Sequence, residues 1–186
     1  MLFRSHVIPT PIDLSRWRVK DSWGSSRLTL GWAGTAAHVG NLRDIAAALR
    51  GRRVRIVADA SCEIPGADVE FVPWTEGGEP DAVRGFDVAL APLPDDPWSR
   101  WKMPYKILTY FAAGVPVVAS RLGAVESVVR DGENGLLAGD WGACLRRLED
   151  AALRERLGRA GRATVEKDFA VEASYAKLKA LLLSLT

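Results

Sequence analysis

Arg100, Lys102 and Lys106 crowd into one short stretch, PLPDDPWSRWKMPYK, behind the acidic pair Asp95 and Asp96. Closely spaced cations at a helix start suit a diphosphate: arginine grips bidentately and lysine acts as a mobile charge. Pro104 suits the first turn of the following helix, whose positive end would face the same crevice. A solvated, salt-bridged surface loop fits the same residues. A second candidate is GTAAHVGN, where Gly34 and Thr35 form a small turn leading into a helix N-terminus, a place where backbone N–H groups suit a phosphate. Gly31 and Gly34 do not complete a GxGxxG fingerprint, and tight packing accounts for small residues there equally well. Asp59 closes a strand-like run where dinucleotide folds place a ribose-binding acid; a cap or loop hydrogen bond explains it as well. Trp32, Trp74, Trp98 and Trp101 fall at or near strand ends, where aromatics stack on bases or line clefts. Trp32 suits core packing better, and for Trp74 and Trp98 both readings stand.

These residues need a scaffold, and the pattern supplies one. Short apolar runs predict strands at Leu28–Ala33, Val54–Ala58, Val69–Val72, Asp87–Leu93, Pro116–Ala119 and Gly135–Ala138. Between them lie helical spacings: Asn41–Arg50, with Asn41 as N-cap and Gly51 as stop, a short helix within 78–85, and Tyr105–Ala113 ended by Gly114. After Asp140 the chain reads as helix at Trp141–Leu148, Ala151–Ala160 and Val171–Leu185. The last carries an apolar stripe at Leu178, Leu181, Leu182 and Leu185. Strands alternating with helices imply an α/β fold, a Rossmann-like doubly wound parallel sheet with C-terminal helices. Ligands of such sheets sit beyond the strands' carboxyl ends where strand order reverses, here between the loops Gly34–Gly40 and Pro94–Pro104.

Composition excludes several functions. At 186 residues the chain suits one domain, and 48% hydrophobic with 26% charged residues is ordinary for a globular protein. A net charge of +2 argues against nucleic acid as the main partner. Cys62 and Cys144 show no metal-type spacing and suit buried reduced thiols. His6 and His38 are too few for a histidine-rich metal site or a triad. No apolar run approaches the roughly 20 residues that span a membrane. Residues 6–26 carry turn formers without a period and read as a linker crossing a surface, while Met1–Ser5 reads as a gene-assembly remnant.

The run DVALAPLPDDPWSRWKMPYKILTYFAAGVPVVASRLGAVESVVRDGENGLLAG resembles the C-terminal domain of GT-B glycosyltransferases of family 4, and VIPTPIDL, LGWAGT and VEFVPW extend the match. The resemblance implies that residues 27–186 are one half of a GT-B fold, the donor domain of a retaining transferase that uses UDP- or GDP-sugars. It implies an N-terminal acceptor-binding domain that this chain lacks. It also implies metal independence, the countercharge coming from lysine and arginine. Family members usually carry two glutamates at positions that here are Trp101 and Thr109, and a third where Ser127 stands beside Glu126. Arg100, Lys102 and Lys106 match a variant of the family loop whose lysines hold the donor diphosphate.

The expected site is therefore a diphosphate between Gly34, Thr35 and the cations Arg100, Lys102 and Lys106. The base would lie towards Trp74 and the ribose near Thr109 and Glu126. No metal, no nucleic acid and no catalytic base are assigned. The expected location is cytoplasmic, with peripheral contact at the inner membrane surface only through the absent half. Two other classes stay open: a noncatalytic module that has lost donor binding, and a nicotinamide-dependent oxidoreductase.

Overall fold

In a computed structural model, which describes residues 6–103 and 105–184, six strands form one parallel sheet. They are β1 (Thr29–Ala33), β2 (Arg53–Ala58), β3 (Asp68–Pro73), β4 (Val88–Ala91), β5 (Val117–Ser120) and β6 (Leu136–Ala138). Their order is β3-β2-β1-β4-β5-β6, so the chain reverses direction of winding between β1 and β4. β1, β4 and β5 are apolar and almost wholly buried, the mark of parallel strands covered on both faces. The fold is the expected α/β Rossmann-like one.

The covering helices are α1 (Gly40–Arg43), α2 (Ala46–Leu49), α3 (Glu79–Arg84), α4 (Tyr105–Ala112), α5 (Gly123–Glu126), α6 (Trp141–Arg147), α7 (Ala151–Asp168) and α8 (Val171–Leu183). One core layer gathers Phe86, Ile107, Tyr110, Phe111, Val125 and Val165, so α4 and α7 cover that face. The other gathers Trp32, Leu42, Leu49, Leu145, Leu148 and Leu157 beneath α1, α2 and α6. Gly31 lets Phe86 lie against β1, since a Cβ there would overlap the Phe86 ring.

Three expectations need correction. The single helix expected from Asn41 is broken in two at Ile45, and Asn41 lies inside α1 rather than capping it. Its side chain instead donates to the Pro92 carbonyl at 3.3 Å, tying the loop after β1 to the loop after β4. Helix α7 does not stop at Ala160 but runs on to Asp168, and Gly161 admits the Phe111 ring against it. The N-terminal segment does run over the surface, but it is anchored in the core rather than free. Ile12, Trp17 and Trp23 are buried, and Ile12 pairs with Ala170. Arg154, itself fully buried, donates to the carbonyls of Trp23, Leu148 and Glu149 and latches the segment to α7. Lys20 donates to the Phe86 carbonyl at 2.6 Å and pairs with Asp87, which in turn accepts from the Thr29 N–H.

The apolar stripe of α8 lies largely exposed at Leu178 and Leu182, and Leu185, Pro104 and Met1–Ser5 fall outside the described residues. Among the described residues no helix is long and apolar enough to cross a membrane. At the junction of α4, α7 and the N-terminal segment, a Cβ on Gly158 would strike the Gly114 carbonyl and the Trp23 indole nitrogen. Because one neighbour is backbone, Gly158→Ala is expected to lower stability by about 1–3 kcal/mol despite alanine's better helix propensity, read as a reduced urea midpoint.

Candidate functional site

The reversal of strand order sets β1 and β4 side by side, and a cavity of about 330 Å³ opens there. His38 and Asn41 line it from the β1 side; Trp98, Lys102, Tyr105 and Lys106 line it from the β4 loop and α4. That size lies at the lower end of small-molecule sites, roughly 300–1,000 Å³.

Each wall is fixed by hydrogen bonds that leave little freedom. On the β1 side, Ala33 donates its N–H to the Tyr110 hydroxyl of α4 at 2.9 Å, while Gly34 donates to the Val57 carbonyl. Burial in the core pushes the Tyr110 phenol above its ordinary pKa, so it remains a neutral strut. Asp59 accepts from the Ala36 N–H at 2.6 Å, which is the loop hydrogen bond weighed against a ribose contact. Two backbone N–H groups of the first loop are thus occupied, leaving less of it to cradle a phosphate than its sequence suggested. On the β4 side, Ser99 donates to Asp96 through its N–H and its hydroxyl, Leu93 donates to Ser120 and Ala124 to the Arg100 carbonyl. The backbone hydrogen bond from Ser99 is the main reason the Asp96 carboxyl sits below its usual pKa.

Lys106 is the unusual group. Its ammonium lies 4.5 Å from the centroid of the Trp32 ring, a cation–π contact, and a Cβ at Gly34 would come within 3.2 Å of it. Gly34 therefore leaves room for this nitrogen beside the end of β1. Among the described residues no carboxylate or carbonyl pairs with it. Burial first, and the nearby charge of Lys102 second, lower its pKa to about 8. Trp32 is fully buried, as its core reading required, and its Nε1 finds no acceptor among the described residues.

The other expected site residues divide. Lys102 lines the cavity with Lys106, while Thr35 stands beside it and bonds His38. Arg100 does not line it; its guanidinium is engaged with Asp95 at 2.5 and 2.9 Å. Thr109 is buried, with its hydroxyl donated to the Lys106 carbonyl one turn back. Glu126 is half-exposed, 3.9 Å from Arg121, and Trp74 is exposed at the end of β3; neither lines the cavity. Trp98, 73% exposed, does line it, so the aromatic wall comes from the β4 loop rather than from Trp74. His38, Asn41 and Tyr105 are lining groups that sequence reasoning did not select. His38 was weighed only for metals and triads, although its place in the loop after the first strand was a usable signal.

The family profile described as "Glycosyl transferases group 1" matches residues 36–153. No curated protein matches the chain. Among solved structures, a sucrose-phosphate synthase from Thermosynechococcus elongatus aligns over 97% of this chain and 52% of its own, at 18% identity and TM-score 0.74. HepE of Anabaena, in complex with UDP-glucose, aligns over 96% and 57%, at 18% identity and TM-score 0.71. The C-terminal domain of LpcC, a group 1 glycosyl transferase family protein from Francisella tularensis, aligns over 86% and 99%, at 16% identity and TM-score 0.65. The chain thus spans about half the length of the first two and nearly all of the isolated C-terminal domain.

Lys106 binds fewer protons in the folded than in the unfolded chain between pH about 8 and 10.5. The Lys106 contribution to stability therefore rises with pH across that window, its burial cost being fully present below it, while the raised Cys62 and Cys144 thiols and Tyr110 phenol contribute in the opposite direction. Urea unfolding at pH 7.5, 9 and 10 is expected to show a dependence of stability on pH that is more positive in the wild type than in Lys106→Met.

Proposed function

The chain belongs to the glycosyl transferases of group 1, and from that premise we propose that it is the donor-binding half of a retaining sugar transferase. The diphosphate of a UDP- or GDP-sugar lies at the β1–β4 crevice against Lys102 and Lys106, with Gly34 giving it access to the Lys106 ammonium. One observation carries this reading: a cation without an anionic partner among the described residues, half-buried on an aromatic ring and lining the cavity at the switch point. A buried charge left unpaired is costly, and a diphosphate supplies the missing countercharge.

The chemistry follows from charge. When the sugar's anomeric carbon leaves the β-phosphate oxygen, the bonding pair stays on that oxygen and negative charge grows there. Ammonium groups already in place stabilise it without reorganising, a contribution that enzymes use heavily. The countercharge comes from these side chains in this proposal, and no metal is assigned a part. Arg100 belongs to the site only if donor binding releases it from Asp95. Trp98 and Tyr105 offer stacking surface for the base, alongside the Trp74 position expected from sequence. The acceptor is held by a companion domain outside residues 27–186, in the cytoplasm, where a lipid-linked acceptor would bring the assembly to the inner membrane surface.

The observation favouring a second reading, a noncatalytic module, is that Thr109 and Ser127 donate their hydroxyls to Lys106 and Ala124 carbonyls of their own helices. Both occupy positions of family glutamates, and neither hydroxyl proton is free for a ribose.

Calorimetry and thermal unfolding with UDP-glucose and GDP-mannose separate the two readings. The donor reading expects one of them to raise the unfolding midpoint, and Lys106→Ala to weaken binding by about tenfold or more, in line with a charge-assisted contact. Affinity should also fall as pH rises past about 8, because the Lys106 proton is lost. Absence of stabilisation by either class of nucleotide, or undiminished binding by Lys106→Ala, sinks it.

A further inference from the structure

Resting on the donor reading, we infer that His38 forms the facing wall of the anion site and donates its Nε2–H to the bound diphosphate. The two lysines approach from α4 and the β4 loop, so an anion between them and β1 needs a donor on the β1 side. Two of the backbone donors there are occupied, Gly34 by Val57 and Ala36 by Asp59. His38 lines the same cavity and is held in place twice. Its N–H donates to the Thr35 carbonyl at 2.9 Å, and its Nδ1 lies 2.8 Å from the Thr35 hydroxyl. Asp59, gripping Ala36 between them, keeps this turn closed over the strand end.

The Thr35 contact decides what the other ring nitrogen does. When the hydroxyl donates to Nδ1, the neutral ring carries its proton on Nε2 and presents a donor. When the ring is protonated, both nitrogens donate, and Nδ1 gives its proton to Thr35 instead. Only the neutral tautomer with a proton on Nδ1 offers an acceptor at Nε2, and an acceptor-only phosphate oxygen selects against it. Thr35 is thus a positioning residue, acting through His38. The acid in the cavity, Asp96, is already engaged by Ser99 and does not take this role.

Binding of inorganic pyrophosphate and of UDP, measured by calorimetry on the wild type and on His38→Ala, His38→Gln and His38→Asn, tests the assignment. The side-chain amide of glutamine reaches about as far as Nε2 and that of asparagine about as far as Nδ1. His38→Ala is expected to weaken both probes by roughly tenfold, His38→Gln to recover most of that loss, and His38→Asn to recover little. Thr35→Val should weaken them less than His38→Ala does. Equal thermal unfolding midpoints would show that the exposed loop variants fold alike. If the wild type binds both probes and His38→Ala binds them within twofold, or if glutamine and asparagine behave alike, the inference is wrong and the donor reading stands. If the wild type binds none of pyrophosphate, UDP and GDP, both fall together.

Discussion

A helix ends in carbonyls that its own backbone cannot satisfy, and in a buried helix those groups must find donors elsewhere. The end of α4 meets this constraint with three donors from outside the sheet. Arg162 of α7 donates to the Ala112 carbonyl at 2.6 Å, the Lys20 N–H to Ala113 at 3.0 Å, and the Trp23 indole to Gly114 at 2.9 Å. Gly114, at φ +69°, turns the chain so that these carbonyls face their donors. Tyr110, in the last turn of the helix, reaches the end of β1. Helix α4 is therefore held over its C-terminal half, which sets where Lys106, in its first turn, meets Trp32.

Seen this way the site and the core are one problem. The Trp32 ring fills the layer under α1 and α6 and also supplies the face over which the Lys106 ammonium rests. Its indole N–H is left without an acceptor, at a cost of about 1–3 kcal/mol if water does not reach it. Phe86 packs onto Gly31 and seals the opposite layer beneath the paired β1 and β4.

The sheet was legible in the sequence because buried parallel strands are nearly continuous apolar runs, and all six were found close to their observed bounds. What escaped were features that depend on distant partners. The break at Ile45 and the anchoring of Ile12, Trp17, Lys20 and Trp23 in the core carry no local period. The run of α7 past Ala160 likewise rests on a distant partner, the Phe111 ring packed on Gly161. At the site, Lys102 and Lys106 could be picked out because charge next to a helix start is a local pattern. Arg100 could not be sorted from them, as its engagement with Asp95 depends on how the loop folds back. Thr109 was placed by family position and Trp74 by its strand end, and neither lines the cavity.

The anchored N-terminal segment bears on how such a domain can be exchanged between proteins. A chimera joined at residue 27 would discard Lys20 and Trp23, stripping the Ala113 and Gly114 carbonyls of their donors and leaving Arg154 without its Trp23 acceptor. The unit that travels intact begins upstream of Ile12, whose N–H already bonds the Phe169 carbonyl at the far end of α7. A seam chosen by the start of the first strand would thus cut through the packing that steadies the ligand crevice from behind.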